Sequence, residues 1–149
     1  MKKIFLLAAA FALTTAAFAQ PAPVKVDEVI KMNVETHDFG KIKQGIPVTY
    51  VFEIKNITKA PVVITNASAS CGCTVPEKPE QPIESGKTAP LKVQFSAAAV
   101  GPINKDVYIT VAGADAPKVV HITGEVLTPE AYEEYMKTQP KSKDDKPKN

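Results

Sequence analysis

From Pro47 to Lys55 the chain alternates. Val48, Tyr50, Phe52 and Ile54 share one face, Thr49, Glu53 and Lys55 share the other, and Val51 is the exception. A period of two throws successive side chains to opposite faces, which predicts a half-buried strand and not a helix. The same beat returns at Leu91, Val93 and Phe95, at Val107, Ile109 and Val111, and from Val119 to Val126. Two weaker versions run from Val29 to Thr36, with Ile30, Met32 and Val34 on one face, and from Pro61 to Ala67. Between them, Asn56 to Lys59, Ser85-Gly86-Lys87 and Gly113 to Pro117 read as turns. His37 to Gly45 reads as a turn region in which Phe39 and Ile42 face a core while Gly40 and Gly45 take up positive φ. Pro76, Pro79, Pro82 and Pro90 predict a long surface connection, and Val100-Gly101-Pro102 a further break. About seven short strands with frequent turns and no internal helix predict an all-β sandwich over 29–127.

Both ends depart from this pattern. Met1-Lys2-Lys3, the apolar run Ile4 to Leu13 and Ala17-Phe18-Ala19 have the form of a signal peptide over 1–19, cut before Gln20. The apolar run is shorter than the roughly 20 residues a membrane span needs, so the expectation is export to the periplasm or beyond, with no membrane insertion after cleavage. Residues 20–28, with Pro21 and Pro23, read as a linker. Thr128-Pro129 is a helix start, and Tyr132, Tyr135 and Met136 recur at helical spacing, predicting a short helix over 128–138 that packs on the sandwich. Residues 139–149 hold lysine, aspartate and proline without apolar side chains and read as a disordered tail.

Composition narrows the function classes. The chain has 18 lysines, no arginine and 16 acidic residues; loss of Lys2 and Lys3 leaves it balanced. Nucleic-acid binders carry a basic, arginine-rich face, so that partner class is set aside. Gly-x-Ser-x-Gly, a phosphate-binding glycine loop and His-Glu-x-x-His are all missing. Asn56-Ile57-Thr58 and Asn66-Ala67-Ser68 fit the glycosylation pattern, which chance also produces.

Distinctive chemistry is confined to Ser70-Cys71-Gly72-Cys73-Thr74, which holds both cysteines of the chain. Three readings stay open. A disulfide suits an exported protein, with Gly72 giving the backbone freedom to bring the sulfurs together, although so short a ring removes little unfolded-state entropy. A thiolate pair could bind a soft ion such as Cu(I); zinc would need two further ligands, and only His37 and His121 supply imidazoles. A redox protein is the third, but thiol oxidoreductases carry Cys-x-x-Cys at a helix start, and this is Cys-x-Cys after a strand.

A wider set of residues resembles a bacterial family of unknown function, DUF1573. The set runs Phe39-Gly40-Lys41-Ile42, Gly45, Phe52, Asn56, Val63-Ile64, the Ser70 to Thr74 block, Pro82-Ile83, Gly86, Gly101 and Lys105. That family is similar to Hydin and ASPM-SPD-2-Hydin immunoglobulin-like modules. The resemblance implies an immunoglobulin-like sandwich, exported, used for binding or scaffolding, and without established enzymatic activity. Thr58-Lys59 departs from the glycine common there, which alters one turn. The expectation is a non-catalytic binding or structural module of the bacterial cell envelope. It would have no cofactor and an unidentified protein partner, met through a sheet edge or the cysteine loop. The oligomeric state leaves no trace in the sequence.

Overall fold

The computed structural model describes residues 22–139; the signal peptide and most of the tail expected from the sequence lie outside them. Eight strands make two four-stranded sheets. They are β1 (Ile30–Met32), β2 (Thr36–Lys43), β3 (Val48–Asn56), β4 (Ile64–Ala69), β5 (Thr74–Glu77), β6 (Thr88–Phe95), β7 (Gly101–Val111) and β8 (Lys118–Leu127). One sheet runs β1-β3-β6-β5 and the other β2-β8-β7-β4. All pairs are antiparallel except β2 with β8. The facing sides meet in one core where Phe52, Ile54, Leu91, Val93, Val107, Ile109, Val120 and Ile122 are fully buried. Each such side chain stabilises the fold by about 1.5–3 kcal/mol.

Where alternation is clean, the expected faces hold. Phe52 and Ile54 point inward from β3, while Val51 is 46% exposed. The first strand is shorter than its apolar pattern suggests, ending at Met32. Asn33 continues the pairing, donating its N–H to the Glu53 carbonyl (3.1 Å) and accepting the Glu53 N–H on Oδ1 (2.9 Å). The chain then crosses to the other sheet and leaves Val34 exposed.

The region 37–45, expected as a turn, is mostly strand β2. Its period is hidden by a bulge: Asp38 pairs with Thr123 and Lys41 with Glu125, so β2 carries one extra residue there. Gly40 sits in the bulge at φ 65°, and its carbonyl oxygen lies 2.7 Å from where a Cβ on Gly124 would be. Only glycine at 124 lets β2 and β8 approach this closely.

Three prolines expected to interrupt strands lie inside them. Pro76 is in β5, an edge strand. Pro90 is in β6 opposite Glu53, whose own backbone groups are turned to Asn33, and past the end of β5, whose last pair is Glu77 with Lys92. Pro102 opens β7 beyond the reach of β4, whose last pair there is Ala69 with Val107. In each case no neighbouring strand requires the missing N–H.

The stretch read as a linker is docked. Val24 pairs with Ala114, Val26 is buried, and the Lys118 amine hydrogen-bonds Asp27 (2.8 Å) and Glu35. Those two bonds, Asp27 first, hold the Lys118 pKa above the ordinary lysine value. At the other end α1 (Pro129–Thr138) is capped by Thr128, whose Oγ1 accepts the Ala131 N–H at 3.2 Å. It rests on β2 through Lys43–Glu133 (3.2 Å) and Lys41 over the Tyr135 ring (4.9 Å) and buries none of its residues. No helix among the described residues is long and apolar enough to cross a membrane.

Candidate functional site

Ser70 to Cys73 carries the chain from β4 at the edge of one sheet to β5 at the edge of the other. Its path is fixed at both ends. Ser70 donates its N–H to the Asp106 carbonyl (2.9 Å) and accepts the Asp106 N–H on Oγ (3.1 Å). The Cys73 carbonyl accepts the Ser96 N–H at 2.9 Å, and the Thr74 N–H turns back to the Cys71 carbonyl at 3.3 Å.

This path places the sulfurs of Cys71 and Cys73 in contact, with Cα atoms 5.3 Å apart. Gly72 plays a lesser part than its lack of a side chain suggests. It is not among the positive-φ glycines, and a Cβ there would meet nothing within 4 Å. Thr74, 4% exposed, matters more. Its Oγ1 is 3.7 Å from Cys71 Sγ and 3.9 Å from Cys73 Sγ, and no other partner for it is found among the described residues.

On the Cys73 side lies a cleft of about 190 Å³, lined in part by Phe95, Ala98, Val100, Lys105 and Val126. Lys105 is out of pattern. It falls between Ile103 and Val107 on the inward side of β7, opposite the buried Ile122. A lysine at such a position reaches its amine along the apolar surface toward the opening. Ala98, Ala99 and Val100 supply another part of the lining, and Ala97 just before them is fully buried at φ 52°, a conformation unusual for alanine. The Ala97 carbonyl accepts the Gly45 N–H (2.9 Å) and the Ala98 carbonyl accepts Gln44 Nε2–H (3.0 Å).

Neither histidine joins this site. His37 faces inward, stacked on Tyr50 with ring centres 3.5 Å apart and edge-on to Phe39 at 4.7 Å. Burial holds its pKa below the ordinary value, partly opposed by Asp38. His121 faces outward, with Nδ1 2.7 Å from Asp106 Oδ1, and the Tyr108 hydroxyl donates to Asp106 Oδ2 at 3.4 Å. No group of three His, Cys, Asp or Glu residues among those described is placed to hold a metal.

The other motif residues lie mainly in the core and in turns. Ile42 and Phe52 are buried and Phe39 packs against the core; Gly45 (φ 78°) and Gly86 (φ 70°) make turns. Asn56 is fully buried with its amide saturated. Nδ2 donates to the Ala60 (2.8 Å) and Ile83 (2.7 Å) carbonyls, and Oδ1 accepts the Thr58 N–H and hydroxyl, both at 2.8 Å. An amide so engaged is closed to glycosylation. Sequence reasoning singled out the cysteines and Thr74 but gave Lys105 no role beyond its place in the motif. The signal was a lysine where the alternation calls for an apolar side chain.

Two four-stranded sheets around one core define an immunoglobulin-like β-sandwich. The chain belongs to the family described as protein of unknown function (DUF1573), whose model matches residues 30–126. Among solved structures it is similar to a protein of unknown function from Porphyromonas gingivalis W83, at 16% identity and TM-score 0.59, covering 72% of this chain and 50% of that one. It is also similar to PapD-like domain 7 of human CEP192, at 10% identity and TM-score 0.54, covering 82% and 99%. The secreted serine protease VesC of Vibrio cholerae matches at 10% identity and TM-score 0.56, covering 76% of this chain and 27% of that one. The chain thus spans half the Porphyromonas protein and about a quarter of the protease, and these likenesses concern the fold. Comparison with curated protein sequences finds no match.

Proposed function

We propose that this chain is an exported, non-catalytic binding or structural module of the bacterial cell envelope, periplasmic or secreted. It works without a cofactor, its cysteine pair is oxidised to a disulfide, and a protein partner adds a strand along β4. Export rests on the leader pattern of residues 1–19, and the disulfide on the sulfur contact together with an oxidising compartment.

The contrast among the four sheet edges carries the binding mode. Edge strands that pair with nothing are shielded by charge, proline, bulges, brevity or a covering element. β1 is three residues long and carries Lys31; β5 is four residues long and carries Pro76 and Glu77. β2 carries charges and a bulge and has α1 beside it. β4, Ile64-Thr65-Asn66-Ala67-Ser68-Ala69, is six residues long with no charge and no proline. Its one irregularity lies between Ile64 and Asn66, leaving Asn66 to Ala69 in regular register with β7. An extended segment pairing there would satisfy backbone groups on both sides.

A photoreactive residue in place of Asn66 or Ser68, both exposed, tests this in the producing cell, with Lys31 on β1 as the control position. The expected result is a discrete cross-linked species from 66 and 68 and none from 31. The same species from all three positions, or none from β4, would sink strand addition there.

A further inference from the structure

The short ring that Cys71 and Cys73 close does little for stability, yet three departures from ordinary packing surround it. Lys105 stands at an inward position of β7 that the alternation reserves for an apolar side chain, and it lines the cleft that Cys73 also lines. Thr74 buries a hydroxyl that meets only the two sulfurs among the described residues. Disulfide sulfur is a weak acceptor; a thiolate in the same place would be a strong, charge-assisted one. The loop whose Ala98, Ala99 and Val100 line the cleft is entered through Ala97, buried behind it in a left-handed conformation, and backbone outliers of this kind gather at functional sites. Local rules are broken together where function replaces packing.

We propose that Cys71–Cys73 is a thiol–disulfide exchange centre, oxidising a pair of cysteine thiols on an extended polypeptide, with Cys73 the sulfur attacked. A substrate thiolate enters the cleft beside Cys73 and attacks its Sγ. The Cys71–Cys73 bond breaks, a mixed disulfide forms on Cys73, and Cys71 Sγ leaves as thiolate. The Thr74 hydroxyl, 3.7 Å from Cys71 Sγ, stabilises that thiolate, while the Lys105 charge in the cleft beside Cys73 draws in the substrate thiolate. A second thiol of the substrate, deprotonated, then attacks the substrate sulfur of the mixed disulfide and releases Cys73. The substrate leaves oxidised by two electrons, and both cysteines are left reduced after taking up the two protons. The apolar lining, with Phe95, Ala98 and Val100, suits a cysteine flanked by small or apolar residues. The inference goes beyond strand binding at β4 and rests only on the joined state of the pair; each oxidised chain passes on its one disulfide stoichiometrically, without catalytic turnover.

The test uses the full exported chain with reduced glutathione as the probe thiol. Untreated protein is first denatured and alkylated. No alkyl group added before reduction and two after establish the disulfide; two added at once would overturn the pairing and the exchange together. The oxidised protein is then exposed to glutathione, quenched with N-ethylmaleimide and mapped by mass spectrometry. Glutathione is expected on Cys73 in at least about tenfold excess over Cys71, with maleimide on the freed Cys71. Thr74→Val and Lys105→Gln should each slow its arrival about tenfold, the size of one hydrogen bond to a charged group, and Thr74→Ser should restore the rate. In the reduced protein, both slow variants should shift the pH profile of alkylation by iodoacetamide toward higher pH, which a purely structural role would leave in place. Equal labelling of the two cysteines, no mixed disulfide on folded oxidised protein, or wild-type rates in both variants would overturn the exchange centre while leaving strand addition at β4 standing.

Discussion

Two corners of the sandwich bury polar side chains, and they treat them in opposite ways. At the Asn56 corner every hydrogen-bonding position of the amide is matched by a backbone or hydroxyl partner at 2.7–2.8 Å. At the cysteine corner the Thr74 hydroxyl has only sulfur within reach among the described residues. A saturated site holds loops in place and has nothing left to offer a ligand. A site whose hydroxyl meets only sulfur, beside an inward lysine and an opening, keeps capacity for chemistry. Motif residues that look alike in sequence therefore divide by whether their polar atoms are already satisfied.

The sharpest way to break the comparison is Asn56→Ala. It leaves the Thr58 N–H unpaired and removes one of two donors from the Ala60 and Ile83 carbonyls, which keep the Thr58 hydroxyl and the Val62 N–H. At about 1–3 kcal/mol for the unpaired N–H and about 1 kcal/mol for each of the two carbonyl bonds lost, the expected loss is about 3 kcal/mol or more, read from the urea midpoint. A loss under about 1 kcal/mol would mean that water replaces the amide and the corner is not closed. Cys71→Ser with Cys73→Ser should cost much less. Chain-entropy reasoning for so short a loop gives about 1.5 kcal/mol, no more than one buried aliphatic side chain. A loss matching that of Asn56→Ala would make the pair a structural staple.

The smallest effect concerns His37. Its folded pKa is depressed, mainly by burial, so the unfolded chain takes up a proton at higher pH than the folded one. This contribution is intact above the ordinary histidine value of about 6.5 and is lost as pH falls through the depressed folded value. Wild-type stability should therefore decline on acidification below about pH 6.5, and His37→Phe, which keeps an aromatic ring against Tyr50, should flatten that decline. An unchanged slope in the variant would remove His37 as its source.

Alternation made β3, β6, β7 and β8 legible, because each buries one face along its length. It also placed Val51 outside correctly, since position on the strand outweighs side-chain type. β2 was hidden because its bulge changes the inward phase between Phe39 and Ile42. Pro76, Pro90 and Pro102 misled for a different reason. A proline forbids a strand only where a neighbour needs its N–H, and neighbours are a property of the sheet. Of the candidate site, the cysteines were plain in the sequence. The cleft was not, because it forms where the 96–100 loop and β7 meet. Thr128-Pro129 marked the helix start by local chemistry alone, though not how lightly α1 rests on the sandwich.

The pairing of β2 with β8 also sets an order in time. Among the described residues β2 has no hydrogen-bonded strand neighbour other than β8, and its pairs join Thr36 to His121 and Lys43 to Leu127. A chain emerging from its N-terminus, whether from a ribosome or across a membrane, delivers β2 long before its partner exists. Until residue 127 is clear of the exit, nothing in that sheet can hold β2, and the bulge cannot seat Gly40 against Gly124. The domain must then close late and in one piece, and whatever accompanies the chain in transit meets β2 as bare strand.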